Sequence, residues 1–326
     1  MSVRDVRIFL TGGAGFIGSH LTAALLGQGC QVTVFDDFND FYSPQRKERN
    51  VRAFLDHPRY RLFRGDIRDR QTLTRALGAS GCDAVIHLAA RAGVRQSLAE
   101  PVLYQEVNVT GLQNVLEGCR QYGIGKLLFA SSSSVYGGNE QVPFSEDDPV
   151  ARPLSPYAAT KAAGELLCHT YSYLYGMQIL CLRFFTVYGP RQRPDMAIHK
   201  FARLIDREQP LPMFGDGEQR RDFTYIDDIV AGLLAALAYD DSRYEIFNLG
   251  NSATVSLREV IHLLERSLGK TAKLDIRPAQ AGDMKFTCAD ISRAERLLRF
   301  APRVSLPEGI QRFVDWYREE GNCEGL

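Results

Sequence analysis

The chain has 326 residues, 45% of them hydrophobic, and its 39 Lys and Arg are balanced by 39 Asp and Glu. That length suits about two domains, the apolar share excludes a disordered chain, and the zero net charge argues against a broad basic face for nucleic acid. No apolar run approaches the roughly 18 residues of a membrane span; the longest is Ile229 to Tyr239. The apolar N-terminal stretch runs straight into a glycine-rich turn, unlike a secretory leader. Seven cysteines stand singly (Cys30, Cys82, Cys119, Cys168, Cys181, Cys288, Cys323). They predict buried thiols in a reducing, cytoplasmic setting.

Short apolar runs alternate with longer amphipathic stretches in the first half, the rhythm of a parallel sheet with crossover helices. Strands are predicted at Val6–Leu10, Gln31–Phe35, Tyr60–Arg64, Ala84–His87, Lys126–Ala130 and Gln178–Arg183. Helices are predicted to begin near Ile17, Arg46, Gln71, Val102 and Pro156. The Val102 segment places Val102, Val109, Leu112, Val115 and Leu116 on one stripe, and Gly123 stops it. Beyond Arg183 the alternation loosens, broken by Pro190, Pro194, Pro210 and Pro212. Asp227–Tyr239 and Leu257–Leu268 still read as amphipathic helices.

The first strand leads into Thr11-Gly12-Gly13-Ala14-Gly15-Phe16-Ile17-Gly18 and then a helix. Gly12 permits a tight turn, Gly15 lets backbone approach a pyrophosphate, and Gly18 lets helix and strand pack closely. Backbone N–H groups at the helix start then face the anion. Glycine-rich turns also serve as plain connections, but here strand, turn and helix follow in order. Asp36, eighteen residues past Gly18, closes the second strand. A carboxylate there suits the ribose hydroxyls of NAD and repels the extra phosphate of NADP; Asp37 shares that role or is a solvated loop acid. The prediction is an α/β fold: a Rossmann-type doubly wound parallel sheet over residues 1–185, binding NAD. A smaller C-terminal α/β substrate domain follows over 186–326, with part of 222–250 free to return to the first.

Tyr157 and Lys161 stand four apart just after Pro156, which suits the opening of a helix, so both point from one face. A lysine ammonium beside a phenol lowers its pKa from the usual ~10 toward neutrality, making a base for a sugar hydroxyl. Alone, such a pair is more often a half-buried tyrosine and a solvated lysine. Upstream lies Phe129-Ala130-Ser131-Ser132-Ser133-Ser134-Val135-Tyr136-Gly137. Its hydroxyls extend an apolar strand to the carboxyl edge of the sheet, where open α/β folds bind ligands. The histidines at 20, 57, 87, 169, 199 and 262 show no metal-ligand spacing. His87 reads as a structural histidine, and Trp316 as packing for the last helix.

With these motifs the chain resembles the extended short-chain dehydrogenase/reductases that act on nucleotide sugars, and within them the UDP-glucuronate 4-epimerases. The resemblance rests on the glycine turn, Asp66-Ile67, His87-Leu88-Ala89-Ala90, Asn108, the serine run and Tyr157/Lys161. Arg220-Arg221-Asp222-Phe223-Thr224-Tyr225-Ile226-Asp227-Asp228 extends it. The epimerase likeness is carried by Ala92-Gly93-Val94-Arg95, Arg183-Phe184-Phe185-Thr186-Val187-Tyr188-Gly189-Pro190, Arg193-Pro194-Asp195-Met196-Ala197 and Gln280-Ala281-Gly282-Asp283.

It implies Tyr157 as the base, Lys161 on the nicotinamide ribose and Ser132 on the reacting oxygen. It also implies Gly12, Gly15, Phe16, Ile17, Gly18, Asp36, Asp37, Asp66, Ile67, Leu88, Ala89, Ala90, Asn108 and Phe184 around NAD. Pro212 and Phe214 would sit by the uracil, with Arg221 and Asp283 on the diphosphate and uridine ribose, and Arg95 also by the substrate. Relatives dimerise through the helices starting near Val102 and Pro156, so a homodimer is implied. Relatives acting on neutral UDP-sugars commonly carry Asn where Thr186 stands and Arg where Gln280 stands.

In every such enzyme Tyr157 would take the C4 hydroxyl proton while a hydride leaves C4 for NAD. Similar dehydratases carry Asp-Glu before Val-Tyr-Gly, and decarboxylases carry Glu in place of Ser134; this chain has Ser133-Ser134. An epimerase instead rotates the keto sugar and returns the hydride to its other face. With a uronate it must also keep the carboxylate bond out of line with the carbonyl π system. Ser133, Ser134 and Thr186 are expected to hold that carboxylate, with Arg193 nearby or on the diphosphate. The rivals are a UDP-glucose/UDP-galactose 4-epimerase and a non-catalytic NAD-sensing regulatory module.

Overall fold

The computed structural model describes residues 5–278 and 286–319. Six strands follow the predicted rhythm: β1 (Arg7–Thr11), β2 (Gln31–Asp36), β3 (Tyr60–Arg64), β4 (Ala84–His87), β5 (Lys126–Ser132) and β6 (Gln178–Phe184). Later come β7 (Thr186–Tyr188), β8 (Pro210–Phe214), β9 (Arg220–Tyr225), β10 (Tyr244–Leu249), β11 (Thr254–Ser256) and β12 (Lys273–Arg277). The large sheet has the order β10-β6-β5-β4-β1-β2-β3, and every pairing in it is parallel. The smaller sheets are β11-β9-β7 and β12-β8.

Alternation along β1 shows why the large sheet is wound on both faces. Ile8 and Leu10 join one apolar cluster and Phe9 the other, all three essentially inaccessible to water. Successive side chains on a strand point to opposite faces, so each face needs its own cover of helices. One is covered in part by α1 (Phe16–Gly27) and α2 (Pro44–Arg52). On the other lie α3 (Arg70–Ser80), α6 (Gly111–Tyr122) and α7 (Pro156–Tyr175), with α4 (Val94–Ala99) and α5 (Pro101–Gln105) leading into them. With the smaller sheets pack α8 (Ala197–Asp206), α10 (Leu257–Leu268) and α12 (Leu306–Glu319), whereas α9 (Ile226–Ala238) lies against α1 as well as β7 and β9, and α11 (Ser292–Leu298) against β10 of the large sheet.

The helix predicted near Val102 is instead three pieces. Between α5 and α6 the backbone makes a π turn over Glu106–Thr110. A π turn inserts a residue and rotates what precedes it off the following face. Leu112, Val115 and Leu116 are therefore fully buried while Val102 is 69% exposed. Gly123 does end α6, in the left-handed conformation at φ 65°. Trp316 packs where expected, edge-on to His199 and tilted against Phe313.

Candidate active site

The carboxyl ends of β1 to β6 open onto one cavity of about 660 Å³. It sits where the strand order reverses around β1, the position at which open α/β sheets take ligands. Gly12 has φ +74°, and a Cβ there would lie 2.7 Å from the Ala89 nitrogen. A Cβ on Gly18 would overlap the Gly12 carbonyl, so strand and helix touch only because both lack side chains. Gly15 differs: its Cβ position is 3.2 Å from the Gly12 carbonyl, and the next nearest atom, Tyr42 Oη, is 3.9 Å away. That face is open to the cavity. Asp36 is buried and accepts from the N–H groups of Ala14 (3.0 Å) and Phe38 (2.9 Å). Burial raises its pKa, against the pull of the Phe38 N–H and the Lys47 ammonium.

Of the residues singled out for the cofactor, Gly12, Gly15, Phe16, Ile17, Gly18, Asp36, Asp37, Asp66, Ile67, Leu88, Ala89, Ala90, Tyr157, Lys161 and Phe184 line this cavity. Asn108 does not. It is buried in the π turn, accepting from Arg91 N (2.8 Å) and donating to Arg91 O and Thr160 Oγ1 (both 3.0 Å). With these bonds made, Asn108 ties the loop after β4 to α7 rather than reaching a ligand. His87 lies beneath that loop, 2.7 Å from Thr11 Oγ1, and burial lowers its pKa to about 3. It is a neutral structural histidine. An open glycine face at a helix start and an acid at the end of β2 fit a dinucleotide carrying two ribose rings and a pyrophosphate.

Tyr157 and Lys161 ride on the first turns of α7, capped by Ser155, whose Oγ accepts from Ala158 N at 3.1 Å, with Pro156 at the first helical position. Both side chains line the cavity. Lys161 Nζ donates to the Ala130 carbonyl at 2.7 Å and lies 4.9 Å from the Phe129 ring centroid. Burial raises the Tyr157 phenol's pKa, while a Ser132 hydrogen bond and the Arg193 guanidinium draw it back. Burial also lowers Lys161 to about 8. Ser132 and Arg193 thus favour a phenolate at Tyr157. One residue before Ser132, Ser131 donates to Glu165 Oε1, which forms a two-point ion pair with Arg183 at 2.9 and 2.8 Å. Both members of that pair are buried.

Arg193 also lines the cavity and grips Asp195 at two points, 3.0 and 2.8 Å. Two histidines suspend its loop: His20 Nε2 bonds the Pro190 carbonyl (2.9 Å) and His199 Nδ1 the Gln192 carbonyl (2.6 Å). Ser132 reaches the cavity; Ser133, Ser134, Thr186, Arg95, Pro212, Phe214 and Arg221 are not in its lining. Ser134 lies in the turn after β5, where its N–H donates to Ser132 Oγ at 3.2 Å. Thr186 opens β7 opposite Phe223, and Pro212 pairs with Asp275. Arg95 stands 5.4 Å from the Phe214 ring, and Arg221 Nη1 donates to the Arg220 carbonyl. Asp283 and Gln280 lie outside the described residues.

Several lining residues escaped the sequence reading: Phe41, Tyr42, Lys47 and Arg91 among them. Lys47 hides in Gln45-Arg46-Lys47-Glu48-Arg49, a run that reads as a solvated face although Arg46 and Lys47 are buried. The available signal was its position, directly after a strand ending in Asp36.

The profile of the NAD dependent epimerase/dehydratase family matches residues 8–250. A UDP-glucuronate 4-epimerase of Thermodesulfobacterium geofontis is 45% identical over 311 residues, 95% of each chain. A Bacillus cereus UDP-glucuronic acid 4-epimerase, solved with UDP-glucuronic acid and NAD, is 40% identical with a TM-score of 0.90. That match covers 96% of this chain and 99% of the other. A Thermus thermophilus UDP-glucose 4-epimerase, solved with NAD, is 34% identical with a TM-score of 0.87, covering 97% and 100%. Strand order, glycine turn and matched sequence agree: the chain belongs to the NAD dependent epimerase/dehydratase family.

Proposed function

We propose that this protein is an NAD-dependent UDP-sugar 4-epimerase that interconverts UDP-glucuronate and UDP-galacturonate. One observation carries the reading: Tyr157, Ser132 and Lys161 line the same cavity as the glycine turn, and Ser132 draws the phenol's pKa down against burial. The 45% identity to a UDP-glucuronate 4-epimerase supports the choice of sugar.

Ser132 and the Arg193 charge both favour the phenolate, so Tyr157 can give up its proton and accept that of the sugar's C4 hydroxyl. Bound NAD supplies the acceptor for the C4 hydrogen and later returns it. Lys161, held by the Ala130 carbonyl, lies one helical turn beyond Tyr157 and lines the same cavity. Tyr157 hands its proton back once the 4-keto sugar has presented its other face. Ser133, Ser134 and Thr186 hold the uronate carboxylate with hydroxyls, which release it more readily during rotation than a two-point arginine would. Arg193 leaves Asp195 for the diphosphate.

The assembly belongs to the same reading. Leu98, Val102, Leu166, Tyr173 and Leu174 on α4, α5 and α7 are each more than half exposed, and a homodimer would cover them. No helix among the described residues is long and apolar enough to cross a membrane, and the cytoplasm is the proposed compartment.

The test incubates purified protein separately with UDP-glucuronate and UDP-glucose, without added reductant, and follows the anomeric signals by NMR. UDP-galacturonate should appear from the first. Faster conversion of UDP-glucose would give the neutral sugar precedence, and NAD binding without any turnover would leave a sensing module. Ser133→Ala and Thr186→Ala should release carbon dioxide and a 4-keto pentose from UDP-glucuronate. An unchanged product ratio in both would remove these residues from the carboxylate.

A further inference from the structure

Lys47 is a buried ammonium that the chemistry above does not use. It sits midway along α2, is 4% exposed and lines the cavity. Its Nζ donates to the Asn39 carbonyl at 2.9 Å and stands 4.9 Å from the centroid of the Tyr42 ring. The hydroxyl of that tyrosine is the atom 3.9 Å from the open Cβ position of Gly15. From the glycine turn across the cavity, the order is thus Gly15, Tyr42, Lys47.

We propose that Lys47 is a cofactor-binding residue: its ammonium takes the pyrophosphate of the bound dinucleotide from the side opposite the glycine turn, and in doing so holds residues 37–42 across it as a strap. This deepens the NAD-binding reading and rests on it.

Three observations carry the assignment. An ammonium has three donors, and the Asn39 carbonyl takes one hydrogen bond. Burying a lysine is costly unless its charge is matched, and burial does lower the Lys47 pKa, against the opposing pull of Asp36, Asp37 and Asp40. A pyrophosphate brings the further charge that such a site favours, and the α1 N-terminus supplies only partial charges from the other side. The strap is also gripped at its tip. Phe41 lies between two guanidinium groups, Arg91 at 5.4 Å and Arg193 at 5.3 Å from its ring. Lys47 thus holds Asn39 while Arg91 and Arg193 flank Phe41 two residues on. A 4-epimerase that regenerates its cofactor at each turnover has use for such retention.

The experiment separates a phosphate contact from a merely structural one by using two probes. ADP-ribose carries the pyrophosphate; adenosine does not. Affinities of both are measured for the full-length protein and for Lys47→Met, together with the NAD retained through gel filtration. Lys47→Met should weaken ADP-ribose about ten- to a hundredfold, change adenosine less than about twofold, and lose NAD on the column. Should the methionine variant not fold, Lys47→Gln keeps a donor for the Asn39 carbonyl without the charge and carries the same expectation. Equal weakening of both probes, or unchanged ADP-ribose affinity with NAD retained, overturns the proposal. Failure of the unaltered protein to bind either probe would instead overturn the cofactor reading beneath it.

Discussion

The two ends of the cavity are built from different materials. At the cofactor end the surface is largely backbone: the open start of α1 at Gly15, the turn before it and the loop after β4, locked at Gly12 and Gly18, whose Cβ positions are already filled. At the end proposed for the sugar the surface is side chain: Tyr157, Arg193 on Asp195, and a loop hung from two histidines. Backbone surfaces tolerate little alteration but recur wherever the same cofactor is used. Side-chain surfaces can be rewritten a residue at a time, which lets one scaffold serve several sugars. Function should therefore fail in different ways at the two ends.

Tyr157→Phe lies on the boundary and should give the largest loss. Turnover should fall by about a thousandfold or more while both NAD content and UDP-sugar affinity persist, checked by stopped-assay NMR and calorimetry. Gly18→Ala attacks the backbone end. Overlap with the Gly12 carbonyl should cost about 1–3 kcal/mol or more, seen as a lower Tm and depleted NAD. Arg193→Ala attacks the side-chain end and should weaken the UDP-sugar by about ten- to a hundredfold with bound NAD undiminished. Loss of NAD from this variant, or its full retention in Gly18→Ala, would erase the distinction.

The smallest effect is acid sensitivity. Burial lowers both His20 and His199 from 6.5 to about 4, so the folded protein keeps them neutral where the unfolded chain is protonated. The unfolded state binds more protons between those values, and stability must fall as pH drops from 6.5 toward 4. The Tm should decline over that interval, and His199→Gln should flatten the decline; a Tm independent of pH there would refute it.

What could be read from the residues follows the same division. The glycine turn, the acid at the end of β2 and the spacing of Tyr157 and Lys161 are local patterns with one physical solution each, and they lead to the fold and the cofactor. Long-range placement was not legible. That the Ala130 carbonyl holds the Lys161 ammonium could not be read from spacing, because that oxygen's position depends on how β5 packs beneath α7. Asn108 was expected at the cofactor, but the π turn aims it at Arg91 and Thr160. Lys47 was hidden because a charged run looks solvated until tertiary packing closes over it.

The return of β10 to the large sheet has a further consequence. Tyr244–Leu249 add the seventh strand beside β6 after the chain has already passed through β7, β8 and β9. A fragment stopped at residue 185 would therefore bare the hydrogen-bonding edge of β6, where Ile179 to Phe184 are all buried in the intact protein. Such an edge invites pairing with other chains. The nucleotide-binding half should precipitate when expressed by itself, and the polypeptide has to finish its excursion before its first half can be soluble.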